Sequence, residues 1–304
     1  MRLTASGRVD IAAAAQLACL LEAFAPKPGN VSPGAGFGDT SYLDFLASAA
    51  AIGRSLGSAA RPLGEIILMA VRDTRRWVGV NTNLGIVLLL APLARAAAFC
   101  PPPDDAPIEL VDLRRLLAAV LGESTGEDAQ AAYEAIRLAS PGGLGSVDSQ
   151  DVASAPTVTL TAAMHLAADR DGVACEYATD FRATFEVGAV ALRAARRAGL
   201  DWNDAVVETY LTLLAAYPDT HIARRAGHAR AGEVTRTAGA VLDVGGVRSD
   251  AGRAAIAEFH ANLSDPDNLS NPGTTADITT AAIFVTLLTG GWRARHGGGD
   301  AALR

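Results

Sequence analysis

Apolar segments rich in Ala and Leu alternate along the chain with short polar breaks built from Gly, Pro, Asn, Asp and Ser. That pattern predicts a map that is nearly all helix. A first helix fits residues 9–25 and stops there, because Pro26 disfavours helical backbone at Ala25. A second begins near Ser41, where Ser41 and Asp44 have the spacing of a capping box. Pro62 opens a third, to residue 77. The run from Leu84 reads as strand or helix by periodicity alone. Its continuation to residue 98 favours helix, with a kink at Pro92. Further helices fit 110–121, 125–139 (with a Ser124/Glu127 box), 156–169, 177–198 and, capped by Asp201, on to 216. Helix resumes after a break at 217–221 and runs to 240, with a turn over 241–248. Ser249 caps a helix to 263, and Thr274 caps the last, to 288.

The chain has 304 residues, enough for a substantial core, with no internal repeat and no compositional break that marks a linker. One all-α domain over 1–304 is expected, its core at about 9–290 and a Gly-rich tail at 297–304. Half the residues are hydrophobic and only 5% aromatic, which favours packed helices over a β-sandwich. The formal net charge of -7 argues against nucleic acid as a partner. Cys19, Cys100 and Cys175 are odd in number and far apart, which points to a reducing compartment. Arg2 and Arg8 ahead of an apolar run imitate a signal peptide, but Gln16 and Glu22 interrupt the run and no cleavage pattern follows. A cytoplasmic protein with no membrane span is expected, and a homo-oligomer is left open.

Four polar junctions carry the candidate chemistry. The first, residues 26–42, places Lys27 between two prolines and follows it with Gly29, Asn30, Ser32 and Asp39, while Glu22 stands just ahead. The second is Asn81-Thr82-Asn83-Leu84-Gly85. The third is Asp219-Thr220-His221 with Arg224 and Arg225, and the fourth is Asn271-Pro272-Gly273-Thr274 with Asp277. Each sits at a helix end, where free amides and a positive partial charge suit phosphate. Lys27, Arg224, Arg225 and protonated His221 add full charge. Asp39, Asp219 and Asp277 are hard oxygen donors of the kind Mg²⁺ uses beside phosphates. Blander roles compete at each position: capping for Asn81, Thr82 and Asn83, a helix first turn for Asp277, a solvated face for the arginine pair. Asp148 and Asp151, in a second Gly-rich loop, read as surface turn chemistry.

In order and spacing, Pro26-Lys27-Pro28-Gly29, Asn81-Thr82-Asn83, Asp219-Thr220-His221 and Asn271-Pro272-Gly273 with Asp277 resemble the motifs of the triphosphoribosyl-dephospho-CoA synthase family. The resemblance implies an all-helical fold and transfer of the triphosphoribosyl group of ATP, with Mg²⁺, to the ribose 2′-hydroxyl of dephospho-CoA, releasing adenine. Such enzymes commonly carry His then Lys where this chain has Asn83 and Leu84, and a Gly/Ala/Glu-rich segment where it reads Pro141 to Asp148. The resemblance therefore implies a divergent branch, with weak turnover of dephospho-CoA unless Arg224, Arg225 or Arg236 supplies the missing charge. Phosphoribosyl transfer in one-carbon (methanopterin-type) cofactor synthesis is one alternative. A non-catalytic nucleotide- or CoA-binding protein is another. Lys27, Arg224 and Arg225 are expected to bind phosphate, with Asp39 and Asp219 as metal ligands or base. Glu22 is expected as a ligand, a base or a buried partner of Lys27. All four junctions are expected to converge on one pocket.

Overall fold

The computed structural model describes residues 10–34, 36, 40–100, 107–264 and 268–292, and these form an all-helical structure. Asp39 and the 297–304 tail lie outside the described residues. The helices are α1 (Ile11–Phe24), α2 (Tyr42–Ala51), α3 (Gly53–Gly57), α4 (Leu63–Arg75), α5 (Leu84–Phe99), α6 (Leu110–Gly122), α7 (Gly126–Ala139), α8 (Leu160–Ala167), α9 (Gly172–Ala178), α10 (Ala189–Arg197), α11 (Trp202–Ala216), α12 (Thr220–Ala226), α13 (His228–Asp243), α14 (Asp250–Leu263) and α15 (Gly273–Leu288). A π-helical segment, Ala183–Gly188, leads directly into α10.

Two helices are apolar on nearly every side, the pattern of an element enclosed by others. In α15 every residue except Gly273 and Asp277 is buried, and α5 is buried apart from Gly85, Arg95 and its last two residues. They pack against each other, and α15 also packs against α1, α10, α11 and the π segment. The buried threonines of α15 turn their hydroxyls back onto their own helix. Thr279 and Thr280 donate to the carbonyls of Thr275 (2.7 Å) and Ala276 (3.0 Å), which lets polar side chains enter the core.

Pro92 does not end α5. It does deprive the Leu88 carbonyl of its usual donor four residues on. The Tyr177 hydroxyl replaces that donor, its buried side chain reaching from α9 to the Leu88 oxygen at 2.6 Å. Tyr177→Phe leaves a buried carbonyl unsatisfied and is expected to cost about 1–3 kcal/mol. Urea unfolding checks this; an unchanged midpoint would mean that another group satisfies Leu88.

Several boundaries differ from the sequence pattern, each for a local reason. The capping box of α7 is Thr125 with Asp128, one residue beyond Ser124/Glu127. Thr159, not Pro156, caps α8. The 177–198 stretch is interrupted: Asp180 and Phe181 take φ of 50° and 58°, and the Glu176 carboxylate accepts from the Ala183 and Thr184 amides to start the π segment. Burial of the Phe181 side chain holds this turn in place. The last helix starts at Gly273 after Pro272, one residue ahead of the expected Thr274 cap. Among the described residues, no helix is long and apolar enough to cross a membrane.

Candidate active site

The first junction is fixed from below by its own lysine. Lys27 is 0% exposed, with Nζ 3.1 Å from Glu22 Oε1. The ammonium also donates to the main-chain oxygens of Glu22 and, at 3.1 Å, Ala25. These carbonyls belong to the last turn and C-cap of α1, where a helix lacks internal donors. Lys27 is therefore a buried cap, which corrects its expected placement as a phosphate ligand. Burial lowers its proton affinity and raises that of Glu22, and each charge offsets part of the shift in the other. Gly29 (φ 69°) carries the chain past α14, where a side chain would lie 2.7 Å from Leu263; its amide donates to His260 Nδ1 at 3.2 Å. The Tyr210 hydroxyl holds the Pro28 carbonyl at 2.9 Å. So anchored, the loop presents Asn30, whose Nδ2 donates to Asn271 Oδ1 at 2.9 Å and joins the first junction to the fourth.

At the second junction the polar side chains spend their bonds locally. Asn81 Oδ1 accepts from the Leu84 amide (3.1 Å), Thr82 meets Ser48, and Asn83 Nδ2 donates inward to Thr74 Oγ1 (3.0 Å). The third and fourth junctions are locked together by Asp219. One of its oxygens accepts from the His221 and Ile222 amides at 2.8 and 3.0 Å; the other accepts from the amide and hydroxyl of Thr275, both at 2.7 Å. All four lone-pair positions are filled. Asp219 is a structural node, which corrects its expected role as metal ligand or base. Thr220 and Thr274 hydroxyls meet at 3.0 Å, and His221 Nδ1 lies 2.9 Å from the Asn271 carbonyl oxygen.

Above these anchors lies a cavity of about 330 Å³. Glu22, Asn30, Asn81, Thr82, Asn83, His221, Arg224, Asn271, Thr274 and Asp277 all line it, so every junction reaches it. Lys27, Gly29 and Asp219 lie behind its wall. Arg225 sits beside it, its Cγ 3.5 Å from where a Gly143 side chain would begin. Arg236 is exposed on α13 and lies elsewhere. Arg224 donates to Asp171, which also caps α9. Asp277 is in the second turn of α15 rather than the first, and its carboxyl faces the cavity. Burial first, then the neighbouring carboxylates of Glu22, Asp219 and Asp171, push its proton affinity well above the usual carboxylate range. His221 is shifted down by burial, which keeps its imidazole neutral.

Residues 8–296 match a family described as ATP:dephospho-CoA triphosphoribosyl transferase. The chain belongs to this transferase family. A protein of Stutzerimonas stutzeri named a 2-(5''-triphosphoribosyl)-3'-dephosphocoenzyme-A synthase is 27% identical over 281 residues, 87% of this chain and 86% of the relative. One of the same name from Azotobacter vinelandii is 30% identical over 240 residues, 77% of this chain and 72% of its own length. A crystal structure from Archaeoglobus fulgidus, assigned as a triphosphoribosyl-dephospho-CoA synthase, superposes with a TM-score of 0.61 at 27% identity and covers 82% of this chain and all of that one.

In this family member two features of the cavity went unread in the sequence, Tyr133 and the Arg170–Asp171 pair, and a third, the 140–155 loop, was noted without a place in the site. Pro141 to Leu144 line the cavity, while Asp151 does perform turn chemistry, accepting from the Val147 and Ala153 amides. The Asp-Arg-Asp run ahead of Gly172 was the available signal for Arg170 and Asp171. Gly85 is needed for contact: a Cβ there would lie 2.0 Å from Asp277 Oδ2. Gly85→Ala is expected to swing the Asp277 carboxylate aside, lowering turnover about tenfold or more by misplacing it while the melting temperature changes little. Full activity in this variant would show that the position of Asp277 is not critical.

Proposed function

We propose that this transferase moves the triphosphoribosyl group of ATP onto the ribose 2′-hydroxyl of dephospho-CoA and releases adenine. The carrying observation is the family match over residues 8–296 laid on one cavity that all four polar junctions reach. The acceptor oxygen bonds to C1′ of the donor ribose as the bond from C1′ to adenine breaks. Positive charge builds on the sugar as in glycoside cleavage. Asp277 and Glu22 line the cavity for that charge, and Arg170 and Arg224 line it for phosphate. Leu84 leaves the wall beside them uncharged, so these arginines carry the phosphate contacts that the second junction does not provide.

A Mg²⁺ ion accompanying the triphosphate would be held by Asp277 and Glu22. Asp277 accepts no hydrogen bond and so offers open oxygens, while Glu22 Oε1 is spent on Lys27 at 3.1 Å, which leaves Oε2 for the ion. Among the described residues no three acidic, His or Cys side chains form a metal cluster, and Mg²⁺ on a triphosphate needs only one or two carboxylates. When bound, the ion supplies neutralising charge to the phosphates. The test is incubation with Mg-ATP and dephospho-CoA, with free adenine followed by chromatography and the product by mass. Adenine release that needs the acceptor and fails with its 2′-deoxy form is the expected result. Hydrolysis of ATP to ADP or AMP without free adenine would sink the reading.

A further inference from the structure

His221 forms part of the cavity wall, and its ring is held in one orientation and one tautomer. Its Nδ1 lies 2.9 Å from the Asn271 carbonyl oxygen, an atom that can only accept. The proton of the neutral ring is therefore on Nδ1, and Nε2 carries a lone pair. The ring rests on Gly273, where a Cβ would come within 3.2 Å of Nδ1. The His221 amide is tied to Asp219, and Asn271 is tied to Asn30. Nε2 has no hydrogen-bond partner among the described residues, and it is not sealed from the cavity. A neutral imidazole pinned at one nitrogen and open at the other is the arrangement of a general base.

We propose that His221 Nε2 takes the proton of the acceptor hydroxyl as its oxygen attacks C1′ of the donor. This assignment rests on the transferase reading above. One O–H bond and the bond from C1′ to adenine break, and one C–O and one N–H bond form. Adenine leaves with the electron pair of the broken bond and gains a proton from water, to which the imidazolium returns its own. Burial lowers the proton affinity of His221, with Arg224 and Arg225 in the same sense; the Asn271 carbonyl and Asp219 act oppositely. Asp171 at the cap of α9 and Asp277 on α15 are the other charges of this wall, and Asp171 is already neutralised by Arg224.

His221→Asn is the informative variant. Its amide nitrogen can keep the bond to the Asn271 carbonyl while Nε2 is lost. The expected result is an unchanged melting temperature, ATP affinity within about threefold by calorimetry, and kcat for adenine release lower by about 10²–10⁴. A kcat within tenfold of wild type overturns the proposal. Nitrogen-15 NMR of histidine-labelled wild-type protein supplies a second arm that needs neither the variant nor turnover. A protonated Nδ1 with a bare Nε2 at neutral pH supports the assignment, and the opposite tautomer overturns it. If the wild type releases no adenine with any hydroxyl acceptor, the transferase reading fails, while the tautomer still reports on the ring.

Discussion

Asp277→Asn is expected to raise thermal stability and to abolish most adenine release. The carboxyl is enclosed, accepts no hydrogen bond and faces Glu22, Asp219 and Asp171, so its folded-state proton affinity is well above normal. The folded protein therefore binds more protons than the unfolded chain between the ordinary Asp range and the raised one. Over that window stability falls as pH rises. Below the ordinary Asp range both states are protonated, and this destabilisation vanishes. The metal-free Asn variant should melt above wild type at pH 8, with the gap closing towards pH 3.5. Activity should fall by about 10²–10³, because the carboxyl aimed at developing positive charge can no longer ionise. Such opposition between stability and function marks residues retained for chemistry. Equal melting at pH 8, or activity within tenfold of wild type, would show that Asp277 is an ordinary core polar group.

Lys27→Met should act in the opposite way, on the fold before the chemistry. Removing one member of a buried ion pair leaves Glu22 enclosed without a counter-charge and strips donors from the Glu22 and Ala25 carbonyls. The expected cost is about 3–5 kcal/mol, a large part of the total stability of a typical domain. The double variant Lys27→Met with Glu22→Gln should recover much of it, because the stranded charge is gone. A single variant that folds as well as wild type but binds ATP more weakly would restore Lys27 as a phosphate ligand.

Much of this architecture was legible in the chain. The all-helical class followed from apolar segments cut by caps, and the Ser41/Asp44, Asp201 and Ser249 caps occur as their spacing indicates. The four junctions were legible as places because Pro, Gly and Asn have few other uses between buried helices. Side-chain direction was not. A lysine between two prolines reads as a cation set out for phosphate, yet the turn sends it inward to the end of α1. Asp219 and Asp277 look alike in sequence, but one saturates its oxygens on two helix starts and the other keeps them free. The break at Asp180 and Phe181 was hidden because neither residue signals a left-handed backbone as Gly does; distant burial imposes it. Gly85 was quoted as part of a motif, but its reason lies on another helix, at Asp277.

The Asp219 node has a consequence for how this enzyme can diverge. By bonding to the first turns of both α12 and α15, it makes His221 and Asp277 travel as one rigid unit. A drifting lineage cannot shift one without the other, so the reacting centre is conservative by construction. The wall from α7, α8 and the 140–155 loop makes no hydrogen bond to Asp219, and most of its cavity contacts are apolar: Ile136, Leu144, Leu160, Ala163 and Met164. Apolar contacts of this kind exchange volume for volume at little cost. New acceptors should therefore arise by mutation on that wall, and libraries confined to it should change substrate range while leaving the bond-breaking step intact.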